Sequence, residues 1–217
     1  MRRLTYKEFR IAADIDSSHT HNLNYRGQVP LAFGRSVIAQ SLSYVEVDCL
    51  AIRIANVLAE SYSLKTAASF VRVHFDIIAQ VLASAEADPA ATKFFSVIDF
   101  FVRGKRMHTT CGSVTDDPEL IAFELARTPL TARGTVNRIT SVNITALRAE
   151  IVDNAERKGI EISAPWLPPL GSKELAELLA PYVELRDNAV VTASMEVQAE
   201  FLAAGKKSRN IFEGTMQ

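Results

Sequence analysis

The stretch YKEFRIAADIDSSHTHNLNYRG, residues 6–27, predicts two short helices joined by a tight turn. Phe9, Ala12 and Ala13 recur at helical spacing, which predicts one apolar face for the first helix. Residues 14–18 are polar and few, so they are expected to form a turn after which a second helix begins. The chain therefore opens with a compact helix-turn-helix pattern.

The second helix has signals at both ends. Ser17 or Ser18 is expected to cap its start, because a hydroxyl there can accept a backbone N–H bond. Gly27 follows Arg26 and tolerates the left-handed conformation found just past many helix ends. Residues 30–34, bracketed by proline and glycine, predict a short extended wing. Two small helices and a wing form a unit that proteins place in the major groove of DNA.

The side chains of the second helix favour groove recognition. Most of them are short, neutral hydrogen-bonding groups, whereas an ordinary surface helix is richer in Lys and Glu. Asn can pair with adenine and Arg with guanine through two hydrogen bonds each. The candidate base readers are Ser18, His19, His21, Asn22, Asn24 and Arg26, and the candidate phosphate contacts are Arg10 and Arg35. The alternative is a polar face that only meets solvent.

These residues resemble the winged helix-turn-helix of MerR-type and excisionase-like regulators, over roughly residues 4 to 70. The matching positions in the first half are Tyr6, Glu8, Phe9, Ala12, Ala13, Leu23, Arg26, Gly27 and Pro30. Those that follow are Tyr44, Asp48, Leu50, Ile52, Leu58, Ser63 and Leu64. The resemblance implies binding of double-stranded DNA and does not imply metal sensing.

Charge is distributed unevenly along the chain. The net charge of the 217 residues is −1, which argues against a general nucleic-acid coat protein. Residues 1–40 nevertheless hold six Lys or Arg residues against three acidic ones. A basic module on an acidic body is expected where one end meets phosphate. So few cations give modest affinity per copy at physiological salt, which predicts a homodimer.

The composition indicates an ordered protein of the reducing cytoplasm. Hydrophobic residues make up 48% of the chain, enough for a sizeable core. Cys49 and Cys111 are the two cysteines, and we expect buried thiols rather than a disulfide framework. The N-terminus does not read as a signal peptide, and no stretch reaches the length of a membrane span. We therefore expect a cytoplasmic protein without a membrane partner.

Residues 41–88 predict a pair of helices. The first carries an apolar stripe from Val47 to Leu58, and the second carries one from Leu64 to Leu82. Ser63 is the expected N-cap of the second helix. The stripes are wide enough to pack on each other and on the winged unit.

Residues 89–162 predict a small α+β domain. Two β-rich stretches, 94–102 and 107–114, flank a basic turn and predict an antiparallel hairpin. A helix with a capping Asp near 116–117 follows, and residues 135–142 predict a third strand. Asn143 is expected to cap one more helix that ends at Gly159. This domain is suited to an effector or to a dimer surface.

No constellation of residues predicts catalysis, so we expect that the chain is not an enzyme and needs no cofactor. His108 and Cys111 are three apart on a strand, which places them on opposite faces, and a structural thiol is expected. Asp99 is expected on the solvent face of the hairpin. His19 and His21 lie on different helix faces, which disfavours a metal site.

The expected fold is mainly α with a small α+β part. Its segments are a winged helix-turn-helix unit (1–40), a helical pair (41–88), the α+β domain (89–162), and a Pro-rich linker with a helical tail (163–217). Trp166 lies in that linker and is expected to pin it to a groove. The tail is expected to form two helices, Lys173 to Leu185 and Val190 to Ala204, and to contact a second subunit or the transcription machinery.

The sequence favours a dimeric, sequence-specific transcription regulator. One alternative is a phage-type DNA-packaging or excision accessory protein that uses the same winged unit. It predicts a ring-like oligomer or bent DNA. The other is a small ligand-binding protein or enzyme built on the α+β domain. It predicts a deep polar pocket around residues 94–160.

Overall fold

The computed structural model describes residues 3–18, 44–102, 105–117, 119–122, 135–162 and 164–189. These residues form a mainly helical fold with a small antiparallel sheet, as predicted. The helices are α1 (Tyr6–Ala12), α2 (Glu46–Ala59), α3 (Leu64–Val73), α4 (Phe75–Ala87), α5 (Ile144–Glu156) and α6, which is helical over 173–189. The strands are β1 (Phe94–Val102), β2 (Lys105–Ser113) and β3 (Thr135–Asn143).

Helix α1 begins with a capping box. Thr5 Oγ1 accepts the Glu8 amide at 3.2 Å, and the Glu8 carboxylate accepts the Thr5 amide at 2.7 Å. Phe9, Ala12 and Ala13 are fully buried, so the predicted apolar face is confirmed. Helix α1 packs against α2 and α5 and belongs to the main core.

An isolated β-bridge joins Leu4 to Tyr44. The Leu4 amide donates to the Tyr44 carbonyl at 2.7 Å, and the Tyr44 amide donates back at 3.3 Å. The Tyr44 ring stacks on Phe9 with the ring centroids 4.1 Å apart. The bridge therefore brings together the two ends of the segment formed by residues 5–43.

The second helix of the N-terminal unit starts one residue earlier than predicted. Residues 17 and 18 are already helical, so Asp16 occupies the cap position instead of Ser17 or Ser18. An Asp carboxylate caps a helix as well as a hydroxyl does. The predicted continuation of this helix, its predicted end at Gly27 and the predicted wing lie outside the described residues.

The second helix of the predicted pair is in fact two helices. Ser63 caps α3 as predicted, because its side chain accepts the Thr66 amide. His74 then ends α3 and begins α4, and the two helix axes differ by 71°. The prediction of one helix to residue 87 was therefore wrong. The sequence does not show the break, because Val71 and Phe75 keep the apolar spacing of a continuous helix across it.

The sheet has the strand order β2-β1-β3, with both pairs antiparallel. The predicted hairpin and third strand are confirmed. Asn143 accepts the Ala146 amide at 2.8 Å and caps α5, also as predicted. Asp117 Oδ1 accepts the Glu119 amide at 2.9 Å, which confirms the expected helix start there.

The two faces of the sheet are covered by different layers. Phe95 and Val97 of β1 join the main hydrophobic core with the helices, and Ile98 packs with Ile121 on the other face. Helix α4 lies so close to β2 that Val81 occupies the space a side chain on Gly112 would need. Glycine is therefore required for this approach.

Trp166 is 1% exposed and belongs to the main core, so the linker is pinned as predicted. Its backbone amide donates to Glu86 Oε1 at 2.8 Å, and the Arg148 guanidinium lies 5.1 Å from its ring centroid. Within the described ranges, no single helix is long and apolar enough to cross a membrane. Helices α3 and α4 pass that test of length and composition only as a bent pair.

Candidate functional site

Two of the predicted DNA-contacting residues, Arg10 and Ser18, lie in the described part of the chain. The others fall within residues 19–43, outside it: His19, His21, Asn22, Asn24, Arg26 and Arg35. Ser18 is exposed near the start of the second helix, and its hydroxyl donates to Asp16 Oδ1 at 2.6 Å. Arg10 lies in the last turn of α1.

Arg10 is partly buried and holds the turn that follows α1. Its Nε donates to the Ile15 carbonyl at 3.4 Å, and its guanidinium carbon lies 5.7 Å from the centroid of the Tyr6 ring. Nη1 and Nη2 are not used in that bond and can meet another acceptor. Arg10 therefore combines a structural contact with a cation available to a ligand.

The turn itself contains a left-handed residue. Asp14 has a φ of 51°, a conformation that Asp tolerates better than most residues. Arg53 of α2 reaches Asp14 Oδ2 at 3.8 Å and Glu150 Oε2 of α5 at 2.6 Å. Arg53 thereby links the turn to the two helices on which α1 packs.

A basic groove of about 570 Å³ lies beside this turn. Arg10 on α1 forms one wall, and Arg157 and Lys158 at the end of α5 form the other. Arg157 and Lys158 are exposed. Arg157 bonds Asp153 in its own helix and Asn154 Oδ1 at 3.0 Å, so its charge is partly neutralised. The groove holds three cations beside residues 14 and 15.

A second cavity of about 530 Å³ lies between the start of α3 and the sheet. We call it the Tyr62–Arg138 pocket. Its lining combines polar, charged and aromatic side chains: Glu60, Ser61, Tyr62, Ser63, Thr66, Phe70, Asp99, His108 and Arg138. It draws on the loop between α2 and α3 and on all three strands.

Three side chains form a row across the sheet beneath this pocket. In the register of the strands, Asp99 of β1 lies opposite both His108 of β2 and Arg138 of β3. Arg138 Nε and Nη2 donate to Asp99 Oδ2 at 3.1 and 2.9 Å. Asp99 is 2% exposed, so its predicted place on the solvent face was wrong. It faces the helices, where the arginine neutralises it.

Aromatic rings fix the arginine and the histidine of this row. The Arg138 guanidinium lies 4.4 Å from the centroid of the Tyr62 ring. Phe70 meets Tyr62 and His108 edge to face, with centroid distances of 5.0 and 4.6 Å. Cys111 instead packs with Ile98 on the opposite face, which confirms the predicted separation of Cys111 from His108.

Both thiols are in environments that keep them protonated. Burial raises the pKa of Cys49 well above its ordinary value, and the charges of Asp48 and Glu46 add to that effect. Burial also raises the pKa of Cys111. Because the thiolate is the reactive form, neither cysteine is activated as a nucleophile.

No cluster of His, Cys, Asp and Glu able to hold a metal ion occurs in the described ranges. No family model matches the chain, and no curated protein matches it either. The likeness to MerR-type regulators therefore rests on the residues quoted above.

Sequence reasoning identified Arg10 but missed the residues that line each cavity from distant parts of the chain. Arg157 and Lys158 end α5, and their proximity to Arg10 depends on how α1 packs against that helix. Asp99 and Arg138 did carry a signal, because opposite charges in two strands of one predicted sheet can pair across it. Asp99 and Arg138 each lie in the middle of a predicted strand, and this placement could have predicted their ion pair.

Proposed function

We propose that this chain is a sequence-specific DNA-binding transcription regulator that acts as a homodimer. The observation that supports DNA binding best is the basic groove, where Arg10, Arg157 and Lys158 lie together beside the turn at residues 14–15. Cations next to a reading helix are suited to the phosphate contacts that set its register on the duplex. The base-reading residues remain those predicted from the sequence.

The electrostatics of the groove favour an anion. Asp14 is the only carboxylate among the described lining residues, and it lies 3.8 Å from Arg53 Nη1. Arg157 and Lys158 also follow the C-terminal end of α5, where the helix dipole favours cations. The helix dipole therefore stabilises the positive charges of Arg157 and Lys158 in the protein without DNA.

A dimer follows from the small number of cations. A few phosphate contacts per copy give weak binding at physiological salt, whereas two copies on neighbouring half-sites combine their affinities. We expect half-sites separated by about one helical turn of DNA, the spacing that dimeric helix-turn-helix proteins use.

The test begins with selection of a binding site from random double-stranded DNA. Affinity is then measured by fluorescence anisotropy over a range of salt concentrations. Arg10→Gln, Arg157→Gln and Lys158→Gln should each weaken binding to all duplexes and reduce the slope of log K against log salt by about 1. Lys173→Gln is the matched control, because Lys173 is exposed, lies on α6 and pairs with Glu177.

An unchanged salt slope in all three groove variants would overturn the proposal. So would failure to enrich any DNA sequence during selection. Light scattering distinguishes the regulator from the alternative. A regulator should form a dimer, whereas a DNA-packaging accessory protein should form a ring-like oligomer. Thermal unfolding of Arg10→Gln checks that the turn at Ile15 remains folded.

A further inference from the structure

We propose that the Tyr62–Arg138 pocket binds a small oxyanion, the carboxylate or phosphate group of a small molecule. The inference goes beyond DNA binding and does not depend on it, because the pocket shares no lining residue with the basic groove. It is carried by an unequal burial of two opposite charges at the base of the pocket.

The unequal burial concerns Asp99 and Arg138. The Asp99 side chain is 2% exposed, whereas that of Arg138 is 36% exposed. Asp99 also lines the cavity, but its carboxylate is almost fully buried between the sheet and the helices, while the Arg138 guanidinium is the more exposed member of the pair. An entering group therefore meets the positive member of the pair, even though the pair as a whole is neutral.

The guanidinium retains donors for a ligand. Arg138 uses Nε and Nη2 for Asp99, and Nη1 donates to the Ser61 carbonyl at 3.1 Å. A guanidinium has five N–H groups, and these bonds engage three of them. Its plane is fixed by the Tyr62 ring and by Asp99, so it needs little reordering to bind an oxyanion through its edge.

Other groups around the cavity favour the same charge. Helix α3 begins at the rim, and Ser63 Oγ accepts only the Thr66 amide of the first turn. The remaining first-turn amides add positive potential. His108 of β2 is exposed and also lines the cavity. Glu60, exposed at the rim, is the opposing charge and should restrict the site to small anions.

The experiment uses the full chain without DNA. Inorganic phosphate and benzoate are titrated separately at constant ionic strength and followed by ¹H–¹⁵N NMR, including the Arg138 Nε–H resonance. We expect saturable shifts confined to residues 60–66, 108 and 138. The two probes distinguish the source of the oxyanion, since the tighter one identifies phosphate or carboxylate as the preferred group.

Two variants keep the buried carboxylate satisfied. Arg138→Lys retains the charge but loses the rigid fork, and we expect affinity to fall by about tenfold or more. His108→Gln removes the histidine and leaves the Asp99–Arg138 pair intact, and a weaker loss is expected. Lys173→Gln is the control, because it removes an exposed cation that lines neither cavity and should leave oxyanion affinity unchanged.

Arg138→Gln combined with Asp99→Asn removes the pair without leaving a buried charge, and should abolish binding. If this double variant fails to fold, Arg138→Lys and His108→Gln decide the question. Shifts that do not saturate, that spread over all cations, or that persist unchanged in both single variants would overturn the proposal.

Discussion

The Arg186 guanidinium on α6 hydrogen-bonds to Asp76 Oδ2 in the first turn of α4, across 110 positions of sequence. Asp76 is completely buried, and the Arg186 side chain is 28% exposed. The pair holds α6 on the core together with the Phe75–Tyr182 ring contact, whose centroids are 5.0 Å apart. Burial raises the pKa of Asp76, and the charge of Arg186 opposes that shift.

Arg186→Met should therefore destabilise the fold by about 3 kcal/mol, because it leaves a buried carboxylate without its cation. Urea unfolding followed by circular dichroism measures the change. Adding Asp76→Asn should recover much of the loss, since the amide carries no charge. Arg157→Met, which removes an exposed i,i+4 pair with Asp153, is the control and should cost at most about 1 kcal/mol. Equal losses at the two arginines would contradict this account.

His74 at the break between α3 and α4 should make stability depend on pH. Burial, together with the charges of His108 and Arg186, lowers its pKa from 6.5 to about 4. The unfolded chain takes up the proton near pH 6.5 and the folded chain only near pH 4. The contribution of neutral His74 to the free energy of unfolding is therefore complete above pH 6.5 and is lost as the pH falls towards 4.

The free energy of unfolding should fall by up to about 3 kcal/mol over that window through His74 alone. Carboxylates titrate in the same range, so the measurement is the difference between the parent chain and His74→Gln. Urea unfolding at a series of pH values should give a shallower acid limb for His74→Gln. Parallel curves for the two proteins would show that His74 does not titrate in this way.

Gly112→Ala should destabilise the protein by roughly 1–3 kcal/mol, the usual cost of overpacking a well-packed contact. The added methyl group would overlap Val81 Cγ2 on α4. Val81→Ala in the same chain should relieve the overlap, so the double variant should be more stable than the sum of the single effects predicts. Thermal unfolding of the four proteins completes the cycle, and strict additivity would argue against the contact.

Asn22→Ala and Arg26→Ala should each weaken binding to the selected DNA site by roughly 1–3 kcal/mol and relax specificity at one base pair. Competition against unrelated duplex separates this effect from the uniform loss expected of Arg157→Gln. A gel-shift series in which neither substitution changes affinity would refute the assignment of these two residues as base readers.

The hairpin could be predicted because two β-rich stretches flank a polar turn, a purely local pattern. Which face of the hairpin meets solvent could not be predicted in the same way, because it depends on how distant elements pack on the sheet. Ser96 and Asp99 are three positions apart and so lie on opposite faces, yet they are 0% and 2% exposed. Both faces of β1 are covered, and alternation of polar and apolar residues cannot reveal a sheet buried on both sides.

The break at His74 and the basic groove escaped prediction for different reasons. Residues 71 and 75 keep helical spacing through a 71° bend, so the hydrophobic period carries no record of it. Arg10 and Arg157 meet only because α1 packs against α5, a contact between distant parts of the chain. Local pattern gives helices and caps, whereas cavities arise from the packing of elements far apart in sequence.

The Leu4–Tyr44 bridge fixes how anything bound by residues 5–43 acts on the rest of the protein. The bridge joins both ends of this segment, and within it α1 packs on α2 and α5, while Val45 directly precedes α2. A force applied to residues 19–43 would therefore reach α2 by two routes, the packed face of α1 and the chain at Val45. Shortening the chain between 19 and 43 should leave both routes intact, which makes that segment exchangeable for a foreign recognition unit.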